Sequence, residues 1–270
     1  MYEVNDKHLS SISLFVGTGE CNAHCKGCAG VPLRKYAPKK DGIINTELIT
    51  KTLKECYTQG ARYLSISSSG EPTLSPLAIT KTLQLIDDYS KEGLRFSPVN
   101  LYSNGIRIGE DDAFCDTYLL LWKNFGLTAI YVTVHHPDEK KNAKAYGVEI
   151  YPALETIISK IHHAGLQMRA NLVLQKDTIY TAHDFSNVIT TLLHKGVDYI
   201  SAWPKRTLED KIDSARAPLK SEMDSMALWI RKNNFNTVKL LREENKIVYN
   251  TGQKLTLFPD GTLSNSWCNR

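Results

Sequence analysis

Strand and helix candidates alternate along most of the chain. Short β-rich runs are followed, six times over, by longer stretches with apolar residues at helical spacing. The predicted strands are 11–16, 62–68, 98–103, 129–135, 167–174 and 198–203, and the predicted helices lie near 46–58, 76–91, 111–124, 152–164, 182–195 and 221–233. A strand that returns through a helix needs a crossover connection, so consecutive strands run parallel. The alternation therefore predicts an α/β fold with a helix-covered parallel sheet.

The pattern within the strands indicates that this sheet is curled. In the fourth predicted strand the apolar Ile130 and Val132 alternate with Tyr131 and Thr133, and the second, fifth and sixth strands alternate in the same way. An open parallel sheet with helices on both faces is apolar on both, whereas a curled sheet has a polar lumen. We therefore predict a partial (β/α)6 barrel with parallel strands.

The segment after the last predicted helix has a different character. Residues 238–242, 246–249 and 254–258 are predicted as short strands separated by turn sequences rich in Asn, Asp and Gly. We expect a core domain over 1–236 and a short C-terminal β appendage over 237–270, packed on the same domain.

Composition excludes several classes of protein and partner. The chain of 270 residues is 42% hydrophobic and 23% charged, which indicates a globular protein and not a disordered one. A formal net charge of +4 gives little support to nucleic acid as a partner. No apolar run approaches the roughly 20 residues of a membrane span, and the first residues lack the plan of a secretory signal. We expect a cytoplasmic protein with no membrane partner.

Three of the six cysteines are clustered in sequence. Cys21, Cys25 and Cys28 follow the first predicted strand and the segment 17–19, so they fall at the carboxyl edge of the sheet, where the active sites of βα barrels lie. Three thiolates on one loop can ligate a cubane iron–sulfur cluster and leave one iron open. A zinc site is the alternative, and it would need a fourth ligand such as Cys268.

The spacing Cys-x3-Cys-x2-Cys after a first strand resembles the signature of the radical S-adenosylmethionine (SAM) superfamily. One βα unit later, Ser69-Gly70-Glu71-Pro72 is similar to the Gly-Gly-Glu motif of that family, with a serine in place of the first glycine. The resemblance covers residues 11–203, and the core is similar to that of the molybdopterin-precursor cyclase and SPASM-related members. It implies a partial (β/α)6 barrel, a [4Fe-4S] cluster on the three clustered cysteines, and S-adenosyl-L-methionine as the second cofactor.

The resemblance also implies where SAM binds. In the family the Gly-Gly-Glu turn holds the amino group of the SAM methionine, and polar residues at the ends of later strands approach the ribose or the carboxylate. The candidate cofactor-binding residues are Gly27, Ser69, Gly70, Glu71, Ser103, Asn104, Asn171 and Trp203. Gly27 departs from the family pattern, in which the residue before the third cysteine is usually aromatic and contacts adenine.

The activity that the resemblance implies is radical chemistry. One electron from the reduced cluster would cleave SAM to methionine and a 5′-deoxyadenosyl radical, which abstracts hydrogen from an organic small-molecule or peptide substrate in the lumen. A flavodoxin- or ferredoxin-type donor would supply the electron. Among residues predicted to face the lumen, we expect His135, Arg169 and Tyr131 to contact the substrate and take part in catalysis.

Three other functions stay open on the sequence alone. The sequence Cys-Lys-Gly-Cys over residues 25–28 is similar to the corresponding motif of activases that install a glycyl radical on a large partner enzyme. A tRNA-modifying member of the superfamily has a similar Gly-Glu-Pro-Thr turn, and a zinc-stabilised binding module would have no catalysis. Cys268 lies in a segment that resembles the start of the cysteine-rich extension of SPASM members. We expect it to be vestigial or structural, and the alternative is that it donates a hydrogen atom to a product radical.

Overall fold

The computed structural model describes residues 9–209, 211–241 and 253–266. Within these ranges the strands are β1 (Leu9–Phe15), β2 (Tyr63–Ser67), β3 (Val99–Ser103), β4 (Ala129–Val134), β5 (Gln167–Leu174), β6 (Tyr199–Pro204), β7 (Val238–Leu240), β8 (Gln253–Leu257) and β9 (Leu263–Ser264). The α-helices are α1 (Thr46–Thr58), α2 (Pro76–Lys91), α3 (Ile106–Glu110), α4 (Asp112–Asn124), α5 (Glu139–Tyr146), α6 (Leu154–His163), α7 (Ala182–His194) and α8 (Lys220–Lys232). Short 3-10 helices cover Val31–Tyr36 and Pro72–Leu74.

All of these strands belong to one sheet, in the order β7-β6-β5-β4-β3-β2-β1-β8-β9. Strands β1 to β7 are parallel neighbours in chain order, as six strand–helix repeats require. Because parallel strands have a common direction, the loops that follow them meet at one edge of the sheet. The prediction of an α/β fold with a parallel sheet is confirmed.

The two faces of the sheet have different chemistry, as the alternation predicts. On the helix-covered face the side chains are completely or almost completely buried; examples are Ile12, Ile66, Leu101, Val132, Ala170 and Ile200. The other face carries hydroxyl, amide, aromatic and basic side chains; Ser13 and Ser65, for example, meet there at 2.9 Å between their Oγ atoms. The apolar core therefore lies between sheet and helices, and the polar face lines the lumen.

The sequence reading missed two helices, α3 and α5. Helix α5 is short and mostly polar, so it has little apolar periodicity, but its ends carry clear signals. The Asp138 side chain caps the amino end by accepting from Lys141 N, and Gly147 ends the helix with a φ of 65°. This helix matters because it contacts the cysteine loop.

The C-terminal strands extend both edges of the sheet. Strand β7 pairs parallel with β6, and β8 pairs parallel with β1, while β9 runs antiparallel to β8. The predicted strand 246–249 and Cys268 lie outside the described residues. The division into a core and an appendage stays a prediction. None of the helices in the described ranges combines the length and the apolar character needed to cross a bilayer.

Candidate functional site

The three clustered cysteines lie in the loop between β1 and the 3-10 helix Val31–Tyr36, at the carboxyl edge of the sheet. All three side chains are partly buried. Two backbone hydrogen bonds hold this loop: His24 N donates to Tyr146 O at 2.8 Å, and Glu71 N donates to Glu20 O at 2.7 Å. The loop is therefore fixed from one side by helix α5 and from the other by the turn after β2.

The contact with the turn after β2 is so close that only glycine fits. A Cβ atom on Gly70 would lie 2.1 Å from Glu20 O and 2.3 Å from Gly19 O, and one on Gly30 would lie 2.2 Å from Ser69 O. These are backbone atoms, which cannot move away as a flexible side chain can. The Gly-Glu pair of the sequence motif is thus a site where two loop backbones touch.

Glu71 joins the turn after β2 to the end of β3. Its Oε1 accepts from Thr73 N at 3.1 Å, Thr73 Oγ1 at 2.7 Å and Ser103 Oγ at 2.8 Å, and its Oε2 accepts from Asn104 N at 2.7 Å. The side chain is buried, and burial raises the pKa of the carboxyl group, while these hydrogen bonds oppose that shift. The carboxylate thus positions two loops.

Asn104 links this arrangement to the cysteine loop. Its Nδ2 donates to Asn22 Oδ1 at 2.7 Å, and its backbone carbonyl accepts from the Tyr151 hydroxyl at 2.8 Å. We call Glu71, Thr73, Ser103, Asn104 and Asn22 the rim network. It joins the loops after β1, β2 and β3, which carry the candidate cluster and cofactor residues.

His135 and Tyr146 close the same edge from the side of β4. The Tyr146 hydroxyl donates to Thr133 O at 2.6 Å, and its ring lies edge-on to His135 with centroids 4.9 Å apart. The Asn142 side chain accepts from His135 N at 2.9 Å, but His135 Nδ1 is buried without a partner. Burial, and then the positive charge of Lys205, lower the pKa of His135 to about 4, so the ring is neutral at pH 7.

Two of the three clustered thiols, Cys21 and Cys25, resist ionisation in the protein alone. Burial raises the pKa of Cys25 to about 11, with further contributions from Cys28 and Cys21, and burial also raises the pKa of Cys21. A bound metal cluster supplies the positive charge that stabilises thiolates in such surroundings. Among the described residues, no three His, Cys, Asp or Glu side chains converge on a point that could hold one metal ion. In a cubane cluster each cysteine ligates a different iron, so the three sulfurs need not converge.

The remaining candidate cofactor residues differ in their surroundings. Gly27 is exposed with a φ of 66°, and no atom lies within 4 Å of where its Cβ would be. Ser69 is buried, and its Oγ has no hydrogen-bond partner. On the wall of the lumen, Trp203 Nε1 donates to Asn171 Oδ1. The donor set of three partly buried thiols, together with the orphaned hydroxyl of Ser69 close to Gly19, fits a cluster and a polar cofactor at this edge.

Arg169 and Tyr131 lie deeper in the lumen than the other candidates. Both are the third residue of their strands, and Arg169 Nη1 donates to the Tyr131 hydroxyl at 2.8 Å. Along β4, His135 is four residues beyond Tyr131, which corresponds to about 13 Å of rise. The structure therefore brings the cysteines, Ser69, Gly70, Glu71, Ser103 and Asn104 together at the rim, and places Arg169 and Tyr131 well below it. Their predicted roles stay predictions.

Several residues at this site were missed by the sequence reading: Asn22, Thr73, Asn142, Tyr146, Tyr151 and Lys205. The helix signals at Asp138 and Gly147 would have located α5, and with it Asn142 and Tyr146. The contact between Asn22 and Asn104 has no such signal, because it depends on how two distant loops meet.

No protein-family model matches the sequence, and no curated protein matches it significantly. Solved structures match the fold at low sequence identity. Streptococcus suis SuiB bound to the precursor peptide SuiA aligns with a TM-score of 0.64 at 13% identity, over 96% of this chain and 59% of that chain. The chain thus spans about three-fifths of the length of SuiB.

Two further structures cover nearly all of this chain. The structure of anSMEcpe with bound AdoMet has a TM-score of 0.58 at 14% identity, over 96% of this chain and 74% of that one. A radical SAM methyltransferase from Sphaerobacter thermophilus has a TM-score of 0.56 at 12% identity, over 95% and 70%. The predicted partial barrel is confirmed by these neighbours, and this chain has the fold of the radical SAM enzymes.

Proposed function

We propose that this chain is a radical SAM enzyme that acts on an organic small-molecule or peptide substrate by hydrogen abstraction. Cys21, Cys25 and Cys28 would hold a [4Fe-4S] cluster, and the turn at Gly70 and Glu71 would receive SAM. One observation carries the proposal: the cysteine loop and this turn touch through the 2.7 Å hydrogen bond from Glu71 N to Glu20 O, at the carboxyl edge of a barrel with the radical SAM fold.

Cluster and SAM would together supply reductive cleavage of a carbon–sulfur bond, and the chain's own residues would organise the site. Gly70 lets the two loop backbones meet without a side chain between them. Glu71 fixes the turn after β2 to the end of β3 through its four hydrogen bonds. The peptide named with SuiB supports a peptide as one form of the substrate.

The test is anaerobic reconstitution of the full chain with iron and sulfide, followed by reduction with dithionite in the presence of SAM. We expect cluster absorption in the visible range and formation of 5′-deoxyadenosine. Separate alanine substitutions of Cys21, Cys25 and Cys28 should each abolish 5′-deoxyadenosine formation, because the open iron requires all three sulfurs.

Cys56→Ala is the matched control. Burial raises the pKa of the Cys56 thiol to about 11, as for Cys25, but Cys56 lies on the buried face of α1. The control should keep cluster content and turnover. A wild-type protein that binds zinc in place of iron and sulfide, with no cluster absorption, would favour the binding module and overturn the proposal.

The proposed electron donor is a flavodoxin or a ferredoxin, which are acidic proteins. Exposed basic side chains lie within the cysteine loop and in the segment that follows it in sequence: Lys26, Lys35, Lys39 and Lys40. Opposite charge speeds association of protein partners. Charge reversal at Lys35 and Lys39 should slow reduction by flavodoxin at least fivefold and leave dithionite-driven turnover unchanged, whereas reversal at Arg231 and Lys232, at the end of α8, should change neither.

A further inference from the structure

Within the described part of the chain, the strands that form the lumen face carry positive charge and no negative charge. None of the nine strands in the described ranges contains an Asp or a Glu. Three cations lie on these strands: Arg169, Lys239 and Lys254. In the strand register Lys254 is opposite Ser11 and Lys239 is opposite Ser201, so all three share the lumen face. Such one-sided charge is unexpected for a face that only has to pack.

Two of these cations belong to a row of tyrosines that crosses the lumen. The guanidinium of Arg169 lies 4.7 Å from the ring centroid of Tyr199 and 5.3 Å from that of Tyr131. The Tyr131 ring stacks on Tyr102 with centroids 5.0 Å apart, and Lys254 Nζ lies 5.9 Å from the Tyr102 centroid. We call these five residues the cation–tyrosine row. It joins strands β6, β5, β4, β3 and β8.

The charges of this row have no counter-ion within the described residues. Arg169 donates from Nη1 to the Tyr131 hydroxyl and from Nη2 to Gln167 Oε1, both neutral groups, and its Nε is buried without a partner. Neither Arg169 nor Lys254 takes part in any ion pair found among those residues. Desolvation lowers the pKa of Lys254 to about 8, and no carboxylate opposes that shift. Burying unpaired cations costs free energy, which a bound anion would offset.

We infer that the lumen binds a substrate with an anionic oxygen group, a carboxylate or a phosphate, held against the cation–tyrosine row by Arg169 and Lys254. Arg169 keeps one unused N–H on each Nη, and Lys254 keeps its ammonium donors, so both can donate to anionic oxygens. The tyrosine rings would cover an apolar or aromatic part of the same molecule. This inference rests on the proposed function, since it names the substrate class of that site.

The depth of the row fits this role. The row lies below the rim by the rise from Tyr131 to His135, about 13 Å. A substrate anchored there by its anionic group could extend toward the carboxyl edge, where the cysteine loop lies. The anchor and the reacting carbon would then be at opposite ends of the molecule, and the anchor would set which carbon is presented.

The experiment is calorimetric titration of the anaerobically reconstituted full chain, at low ionic strength, with three probes: 3-phenylpropanoate, phenyl phosphate and the neutral 3-phenylpropanamide. We expect one or both anions to bind at least tenfold more tightly than the amide. Arg169→Gln and Lys254→Gln should each weaken anion binding about tenfold and leave amide binding unchanged. The better of the two anions identifies the group as carboxylate or phosphate.

The matched control is Lys54→Gln, because Lys54 also lies over a tyrosine ring, 4.8 Å from the Tyr89 centroid, but outside the lumen on α1. It should keep the preference for anions. Arg169→Lys keeps the charge and should keep most of that preference, and it replaces Arg169→Gln if the latter fails to fold.

Equal affinity for amide and anions, or a preference that survives both substitutions, would overturn the inference. Binding needs no SAM cleavage, so a chain that binds the anions but forms no 5′-deoxyadenosine would overturn the proposed function alone.

Discussion

The rim network and the cation–tyrosine row differ in whether their charged groups are satisfied by the chain itself. At the rim, the Glu71 carboxylate is buried and accepts four hydrogen bonds from the chain itself. In the row, Arg169 and Lys254 lie beside tyrosine rings, and among the described residues neither forms an ion pair with a carboxylate. The rim network lies mainly in the loops that follow β1, β2 and β3, and the row lies on the strands of the same sheet.

We interpret the difference as follows: the polar groups of the rim network hold the loops of the site together, whereas the cations of the row are available to bind a ligand. A buried charge that is satisfied internally contributes to folding, whereas an unpaired one reduces stability and persists when binding requires it. We therefore expect substitutions in the rim network to lower the free energy of unfolding, and substitutions of Arg169 or Lys254 by neutral residues to lower it little or not at all.

Gly70→Ala should have the largest effect on stability. The new methyl group would lie 2.1 Å from Glu20 O, so the turn after β2 and the cysteine loop would have to separate. We expect the free energy of unfolding to fall by about 3 kcal/mol, as for severe overpacking, and SAM-dependent turnover to be lost. Urea denaturation measures the first and 5′-deoxyadenosine formation the second.

Gly126→Ala is the control for this substitution. Gly126 has a positive φ, of 89°, which Gly70 does not have, and no atom lies within 4 Å of where its Cβ would be. It should lose only about 1 kcal/mol, from the left-handed backbone conformation. Equal losses at the two positions would mean that the loop contact is not tight.

Glu71→Gln should have the next largest effect. Glutamine has the same shape but replaces one accepting oxygen by an amide NH2, which would face the donors that Glu71 now satisfies. We expect a loss of about 2 kcal/mol in the free energy of unfolding. Glu222 accepts one backbone hydrogen bond, from Ala182 N at 2.6 Å, and Glu222→Gln should lose well under half as much. An unchanged free energy of unfolding in Glu71→Gln would show that the hydrogen bonds of the rim network do not stabilise the fold.

His135 lies at the carboxyl end of the lumen, and it is a buried titratable group whose backbone N–H is hydrogen-bonded while its ring Nδ1 has no partner. Its pKa is about 4 in the folded chain against about 6.5 in an unfolded one. The folded state therefore binds fewer protons, so the stability contributed by His135 is present above pH 6.5 and is lost as the pH falls toward 4. Between pH 7 and pH 5, wild type should lose roughly 1–2 kcal/mol more than His135→Gln. Parallel pH dependences would place His135 in contact with water or with a carboxylate.

Lys254→Met should have the smallest effect. Methionine keeps much of the side-chain volume and removes a desolvated charge, so we expect a change in the free energy of unfolding between zero and a gain of about 1 kcal/mol. Lys54 is exposed, and Lys54→Met should change the free energy of unfolding by less than about 0.5 kcal/mol. A loss of 2 kcal/mol or more at Lys254 would mean that the chain itself supplies its counter-charge.

Most of the fold was predictable because it depends on local signals. The one-sided alternation at Ile130, Val132 and their strand neighbours predicted a curled sheet, and both faces of β4 have the expected character. Helix α5 was missed because its residues are mostly polar, so packing against the cysteine loop and not apolar periodicity accounts for it. The parallel pairing of β8 with β1 was missed because the turn sequences around β8 suggested a small appendage and not a strand of the main sheet.

Residues of the candidate site could be predicted from the sequence where the site needs one particular type of residue at one position. The cysteine spacing and the Gly70-Glu71 pair could be read directly, since thiols and the absence of a side chain are what the loops require. The partners of Glu71 could be read only in part: Ser103 and Asn104 were expected to approach SAM, and in the structure they donate to Glu71. That Arg169 and Lys254 share one face, with no ion pair among the described residues, could be recognised only once the strand register was known.

The pairing of β8 with β1 also bears on how the molecule is made. Among the described strands, β1 is synthesised before its neighbours and pairs with β2 on one edge, whereas its partner on the other edge is β8, which is complete only when residue 257 has left the ribosome. Contacts this distant in sequence form slowly, and an open strand edge can pair with other chains in the meantime. The strand that leads into the cysteine loop is therefore among the last to be protected, so premature termination before β8 would expose it.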